Sequence, residues 1–193
     1  MDIPLIFFSF TEAILTVLVG LGAALLALFV LVRLFLHKSA LQEIREGNAA
    51  VGILAGAAVF AVVWLTRSAV PPSLEGLRQV LLRSGEFRPE LLKLSVFYFL
   101  SFSTGAVVFS LTLVCVVLKI FALLTRNIHE ETEILHRNLA VALLLASILI
   151  TISLSLEPAM GKFFGSWVNY EKFERALGPT LQVRPVPGPG LSP

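Results

Sequence analysis

The amino-acid sequence predicts an all-α polytopic membrane protein: four transmembrane helices built as two parallel two-helix repeats, each repeat followed by an interfacial amphipathic helix. Composition is the first reason. Of 193 residues, 56% are hydrophobic and 15% charged, with a mean hydropathy of +0.88, whereas soluble domains carry about a quarter charged residues. Continuous apolar runs are the second. Ala13 to Val32, Ala49 to Thr66, a stretch within Leu94 to Leu118, and Leu139 to Leu156 contain no charged residue, and each is near the ~20 residues that cross a hydrocarbon core as a helix. The third is self-similarity at an offset of 138 − 48 = 90 positions. Glu43-Ile44 falls on Glu133-Ile134, Asn48 on Asn138, Ala50-Val51 on Ala140-Val141, and Gly52/Gly56 on Ala142/Ala146. A charge, an amide, an aliphatic pair and a small-residue spacing sharing one offset indicate two copies of one unit.

The first repeat covers residues 1–90. Its lead-in is aromatic, with Phe7-Phe8, and Met1-Asp2-Ile3 lacks the positive flank of a signal peptide, so the first run is expected to stay as a span over residues 13–36. Helix is the only regular structure that fits, because the runs do not alternate and an open sheet would leave backbone groups unpaired in lipid. A short polar loop leads to Asn48, whose side chain can cap the second span at residues 48–66. Leu74, Leu77 and Val80 then share one face of a predicted interfacial helix over residues 73–84, with Arg78 and Arg83 as its cationic side and Ser73 and Gly85 as start and stop.

The second repeat, residues 91–177, follows the same order. Phe97-Tyr98 opens it, a third span runs over residues 94–125, and Asn138 caps a fourth over residues 138–156. An interfacial helix over 160–176 is predicted from Phe164, Trp167 and Tyr170 on one face, with Lys172 and Arg175 beside them. From Gly178 to Pro193 the Pro/Gly-rich composition cannot hold a helix. Two spans return the chain to its starting side, so both units enter the membrane in the same sense, as parallel repeats about a pseudo-two-fold along the membrane normal.

Several chemistries are poorly served by these residues. No basic cluster is interleaved with aromatics as a nucleic-acid surface needs. The single cysteine, Cys115, can neither form an intrachain disulfide nor supply a multi-cysteine metal site. His129, Glu133 and His136 fall on one helical face at i, i+4 and i+7, yet the first repeat has no aligned histidine and the spans no carboxylate, so no metal ligand set is assigned. Span hydroxyls such as Ser103, Ser110, Thr112 and Ser147 have no charged partner at mid-depth, so no catalytic residues and no cofactor are assigned. Ionisable groups sit only near span ends, namely Glu12, Arg33, Arg67, Lys119 and Glu157, whereas carriers place them within the bilayer.

Two residue sets remain as candidates for function. Gly52, Gly56, Ala142 and Ala146 are small residues four apart, which let helix backbones approach closely. Glu43, Asn48, Glu133 and Asn138 mark the repeat motif and are candidates for contact with a polar ligand or a protein partner. Arg67 and Glu157 occupy corresponding positions, 157 − 67 = 90, with opposite charge, which favours their meeting near a pseudo-two-fold axis.

The run Glu43-Ile44-Arg45-Glu46-Gly47-Asn48-Ala49-Ala50, echoed by Glu133-Ile134-Leu135-His136-Arg137-Asn138-Leu139-Ala140, resembles the YjfL-like family of bacterial inner-membrane proteins across the four spans. The resemblance implies a duplicated two-helix unit of unknown function in the cell inner membrane, encoded near membrane-stress or polyamine-related genes. It implies no catalytic residues. Read together, these features point to a non-catalytic scaffold or partner-binding protein in contact with the lipid bilayer, with a small homo-oligomeric channel or transporter as the alternative. Its partners would be other copies of the chain or a membrane or cytoplasmic protein.

Orientation follows from the Lys/Arg flanks. Arg33, Lys38 and Arg45 follow the first span, and Lys119, Arg126 and Arg137 share their side. The opposite side carries nine cations, including Arg67, Arg78 and Lys162, but over longer segments, where the positive-inside rule counts for less. Both termini are therefore expected outside the cytoplasm. A cysteine placed at Ser39 should be labelled only from the cytoplasmic side; labelling by an impermeant reagent outside intact cells would reverse the assignment.

Overall fold

The computed structural model describes residues 3–33, 40–75, 78, 89–124, 130–169 and 171. Among them there is no strand. The helices are α1 (Ile3–Leu31), α2 (Ala40–Arg45), α3 (Ala49–Arg67), α4 (Pro89–Leu124), α5 (Glu130–Leu135) and α6 (Leu139–Ser166), with one further helical turn at 70–75. Four segments are long and apolar enough to cross a membrane: Phe8–Leu31, Ala49–Glu75, Lys93–Leu123 and Leu139–Ser166. The 36 residues of α4 extend about 54 Å at 1.5 Å per residue, well beyond a ~30 Å hydrocarbon core, so its ends reach past the acyl region or it tilts.

The central helix is α3. It packs most extensively on α6, then on α1, and less on α4. Its composition explains the position: Ala50, Ala55, Ala57, Ala58 and Ala61 are all buried, and in lipid, where apolar surface alone gives little drive to associate, close backbone approach over small residues is what holds helices together. Leu54, Val62 and Leu145 fill the space left between the alanines, together with Ala23 and Ala27 of α1 and Val114 and Leu118 of α4. A second cluster lies towards the far end of α3. There Leu65 meets Tyr98, Phe102, Met160 and Phe164. The Phe102 and Phe164 rings are 5.4 Å apart, and Gly105 lies beside the Phe164 ring, where an added Cβ would make an ordinary contact at 3.7 Å.

Contacts at both ends of the α3–α6 pair set its direction. At one end the Asn48 amide meets the carbonyls of Ile134 and Leu135, just before α6 begins. At the other, Arg67 Nη2 lies 3.7 Å from Glu157 Oε1, the pairing that the matching positions anticipate. The two helices therefore run side by side in the same direction. The wider packing departs from a closed pseudo-two-fold. Contact between α1 and α3 is extensive, whereas the corresponding helices α4 and α6 touch little. The alanine-rich α3 can seat a neighbour on several sides; α6 carries Leu143 and Leu144 exposed instead.

Element limits also differ from expectation. The first helix begins at Ile3 rather than near residue 13, helped by Pro4 in its first turn. The fourth span does not stop at residue 156 with a separate interfacial helix from 160, because α6 continues through Pro158 to Ser166. Pro158 removes one helical N–H donor, but Met160 and Phe164 are buried against Leu65 and Phe102, and that packing carries the helix on. Phe164 is buried while Trp167 is exposed, so they do not form one interfacial face. Ser73 does not start a helix. It lies inside the turn at 70–75 and its hydroxyl donates to the Val70 carbonyl at 2.6 Å; Pro71 and Pro72 occupy the early positions where a missing N–H costs least. Leu77, Val80, Arg83, Gly85, Tyr170, Lys172, Arg175 and the stretch 178–193 lie outside the described residues.

Ala142 is fully buried in the α3–α6 contact region. Ala142→Leu is expected to lower stability by about 1–3 kcal/mol through overpacking, read as an earlier unfolding midpoint in detergent, while Leu143→Ala at an exposed position should leave that midpoint nearly unchanged.

Candidate functional site

Two helix-turn-helix corners stand together at one end of the bundle, and their chemistry follows from how each helix stops. The last turn of α2 leaves carbonyls without intrahelical donors. Gly47 adopts φ +80°, and this left-handed turn lets the Gly47 N–H donate to the Ile44 carbonyl at 3.1 Å and the Asn48 N–H to the Glu43 carbonyl at 2.9 Å, the paired closure of a Schellman motif. Asn48 then caps α3, its Oδ1 accepting from the Val51 N–H at 3.3 Å. The second corner repeats the pattern. Arg137 takes φ +65°, its N–H donates to the Ile134 carbonyl at 3.1 Å, and the Asn138 N–H donates to the Glu133 carbonyl at 3.0 Å. Asn138 Oδ1 accepts from Ala140 and Val141.

This turn explains the spacing of the motif residues. Folding the chain back at the left-handed position brings each glutamate beside the asparagine five residues later. Asn48 Nδ2 lies 3.3 Å from Glu43 Oε2, and Asn138 Nδ2 lies 2.8 Å from Glu133 Oε2. Each carboxylate also sits near the start of the next long helix, where the helix dipole favours negative charge.

The corners differ in how they reach across to one another. Asn48 is only 1% exposed, and its Nδ2 is 3.2 Å from both the Ile134 and the Leu135 carbonyls. Its two amide hydrogens thus serve three acceptors, and no donor is left over. Arg137 answers from the other side: its Nη2 donates to the Glu46 carbonyl at 2.9 Å. That bond helps offset the left-handed backbone, which costs a non-glycine residue about 1–2 kcal/mol. Asn138 is half-buried, and among the described residues its Nδ2 donates to Glu133 alone. The four motif residues are therefore gathered at one end of the bundle, but each asparagine addresses its own glutamate and the two amides do not bond to each other.

At the opposite end Arg67 lies against Glu157 and its guanidinium carbon is 3.4 Å from the centroid of the Trp64 ring, which itself stacks on Phe60 with centroids 5.3 Å apart. Arg67 and Glu157 are both partly solvent-exposed, so the ion pair is worth under about 1 kcal/mol.

The other candidates are dispersed. Ala142 and Ala146 are buried, but a Cβ at Gly52 or Gly56 would meet nothing within 4 Å, so the glycine pair makes no close helix contact among the described residues. Of the three residues that share a helical face in sequence, Glu133 is held by Asn138, His136 is exposed, and His129 lies outside the described residues. No group of three or more His, Cys, Asp or Glu gathers among the described residues. Hydroxyls in the spans mostly return to their own helix, as with Ser110 to Ala106 at 2.6 Å and Ser147 to Leu143 at 2.8 Å. Thr66 Oγ1, Ser103 Oγ and Trp64 Nε1 are buried without a hydrogen-bond partner among the described residues. A cavity of about 510 Å3 opens between α1, α3 and α4, walled by Ala27, Leu31, Val62, Thr112, Cys115 and Lys119.

Four apolar helices joined through capped corners define a multi-pass integral membrane protein. The family model described as Domain of Unknown Function (DUF350) matches residues 5–160, a stretch that holds both corners, and the chain belongs to that family. No curated protein and no solved structure matches it.

Replacing Asn48 by alanine removes a cap worth about 0.5–2 kcal/mol and takes the amide donor from the Leu135 carbonyl at about 1–3 kcal/mol, whereas Asn138→Ala is expected to cost about 1 kcal/mol. Unfolding in detergent should rank them in that order. Asn48→Asp, which keeps the cap acceptor but loses the donors, should resemble Asn48→Ala; equal losses at both asparagines would remove the cross-brace.

Proposed function

We propose that this protein is a non-catalytic scaffold of the bacterial inner membrane, with both termini outside the cytoplasm, whose outward helix faces hold other membrane helices. One observation carries the proposal: the main packing cluster of the bundle is made of Ala, Val, Leu and Ile, while a subset of the small and hydroxyl residues of the spans faces outward. Gly56 on α3, Ser101 and Thr104 on α4, and Ser147 and Thr151 on α6 are exposed. Such residues promote helix association in lipid. A pathway through a single chain would call for polar groups lining an interior passage, whereas the buried hydroxyls of Ser110 and Ser153 are turned back onto carbonyls of their own helices. The corners supply rigidity, because Asn48 and Arg137 tie the starts of α3 and α6 together. The family resemblance suggests a membrane-stress or polyamine-linked setting.

A homo-oligomeric channel is the second reading, supported by Ser147, Thr151 and Ser155, which recur every four residues along the outer side of α6 and could line a seam between copies. Purified protein in liposomes decides between the two. The scaffold should pass ions no faster than protein-free vesicles, and reproducible ion flux would replace it with the channel.

A further inference from the structure

The cavity between α1, α3 and α4 exists because two of its walls are held apart. Both α1 and α4 pack on α3, yet they touch each other little, and about 510 Å3 is left between them. That volume falls within the roughly 300–1,000 Å3 of pockets that take small ligands.

The cavity has a direction. Along α4 its wall runs from Leu111 to Lys119, 119 − 111 = 8 residues or about 12 Å at 1.5 Å per residue. On α1 a Cβ at Gly20 would lie 3.4 Å from the Val63 side chain, so Gly20 is level with the neighbour of Val62, which lines the cavity from α3. Leu31, another wall residue, stands 31 − 20 = 11 residues further along α1 towards the corners, about 16 Å. Val62 and Leu111 therefore close the deep end, and Leu31 and Lys119 stand at the end nearest the corners.

Polarity follows the same direction. Thr112 spends its hydroxyl on the Val108 carbonyl at 2.8 Å, which leaves the deep end hydrocarbon apart from the weakly polar Cys115 thiol. Lys119 is the one charged wall residue among the described residues, and it is exposed. Among the described residues no carboxylate pairs with it. It falls inside the apolar segment Lys93–Leu123, where an ionisable group without a counterion points to a ligand that supplies one.

We propose that this cavity holds an acyl chain of an anionic phospholipid, whose phosphate meets the Lys119 ammonium while the tail runs past Cys115 to Val62 and Leu111. The order of the walls, cationic near the corners and apolar at depth, is the order of headgroup and tail in the leaflet on the corner side. Basic pockets between transmembrane helices hold anionic headgroups in this way. A partner helix is too wide: at about 10 Å across with its side chains it would need roughly 900 Å3 over those 12 Å. An acyl chain is one carbon thick. A zwitterionic headgroup would leave Lys119 without a net countercharge, so the preference is for negative lipid. Lipid capture here does not depend on what the outer helix faces hold.

Purified protein in a neutral detergent, offered phosphatidylglycerol or phosphatidylcholine with the same tails, tests the site by native mass spectrometry. A first phosphatidylglycerol is expected to be retained about fivefold more tightly than phosphatidylcholine, the effect of one cation near the headgroups. It should also slow maleimide labelling of Cys115, the single cysteine of the chain, more than phosphatidylcholine does. Lys119→Gln should bring the two lipids to equal retention and equal labelling rates, whereas Lys119→Arg keeps the preference. Lys162→Gln, which removes an exposed cation from the far part of α6, should leave it unchanged. Equal retention of both lipids by the unaltered chain would make the cavity a crevice filled by any tail and would overturn the proposal. A preference that survives Lys119→Gln, or Cys115 labelling indifferent to added lipid, would overturn it as well.

Discussion

Unpaired backbone groups at helix ends are the constraint on which the rest of the structure depends. Each corner brings the end of one helix to the start of the next, and each end leaves up to four groups without intrahelical partners. At the edge of a membrane an unsatisfied group that becomes buried costs several kcal/mol. The left-handed turns at Gly47 and Arg137 return N–H donors to the carbonyls of Glu43, Ile44, Glu133 and Ile134. The asparagines take up amide hydrogens of the following helix. Once Asn48 also spends its own amide on Ile134 and Leu135, the start of α3 is pinned to the corner that feeds α6, and the direction and register of the central helix pair follow.

From that anchored end, packing along α3 is a matter of how close backbones can come. Hydrocarbon tails solvate leucine as well as another helix does, so area burial adds little, and the gain comes from dense contact over small side chains. Five buried alanines on α3 make this helix the hub. The aromatic cluster at the far end works differently: Tyr98, Phe102 and Phe164 are large and their rings meet edge-on or tilted, filling the space where α4 and α6 reach past Gly105. One end of the bundle is held by hydrogen bonds and the other by ring packing.

Much of this was legible in the residues, and the boundary of legibility has physical causes. Long apolar runs and scarce charge declare the medium because lipid penalises both charges and broken helices. Glu43, Asn48, Glu133 and Asn138 stood out through their shared spacing, and so did the opposite charges of Arg67 and Glu157. What the motif does was hidden, since the glutamate meets the asparagine only after a left-handed turn. Gly47 hints at such a turn, but Arg137 does not. The continuation of α6 beyond Pro158 was illegible for a similar reason: proline announces a break locally, and only the distant partners Leu65 and Phe102 overrule it. Which face of Gly52 and Gly56 is covered depends on where α1, α4 and α6 stand around α3, and a spacing motif carries no such information.

The mismatch between the two sides of α3 and α6 reflects a general property of repeated units. If corresponding helices met through the same face, one pair of units could cover both faces within one chain and leave nothing open. Here the buried rows do not correspond, being Ala50 and Leu54 on α3 but Ala142 and Ala146 on α6. A contact of that kind cannot satisfy itself in a chain of two units, because each added unit covers one open face and presents another, as in stacked repeat proteins whose end units need special treatment. Soluble repeats solve this with a polar outer face. In lipid a polar face is costly, so the remaining devices are apolar side chains that tolerate acyl tails or closure upon a further copy. Leu143 and Leu144 suit either course, whereas Gly52 and Gly56 offer tails almost no side-chain contact and cost helix stability relative to alanine.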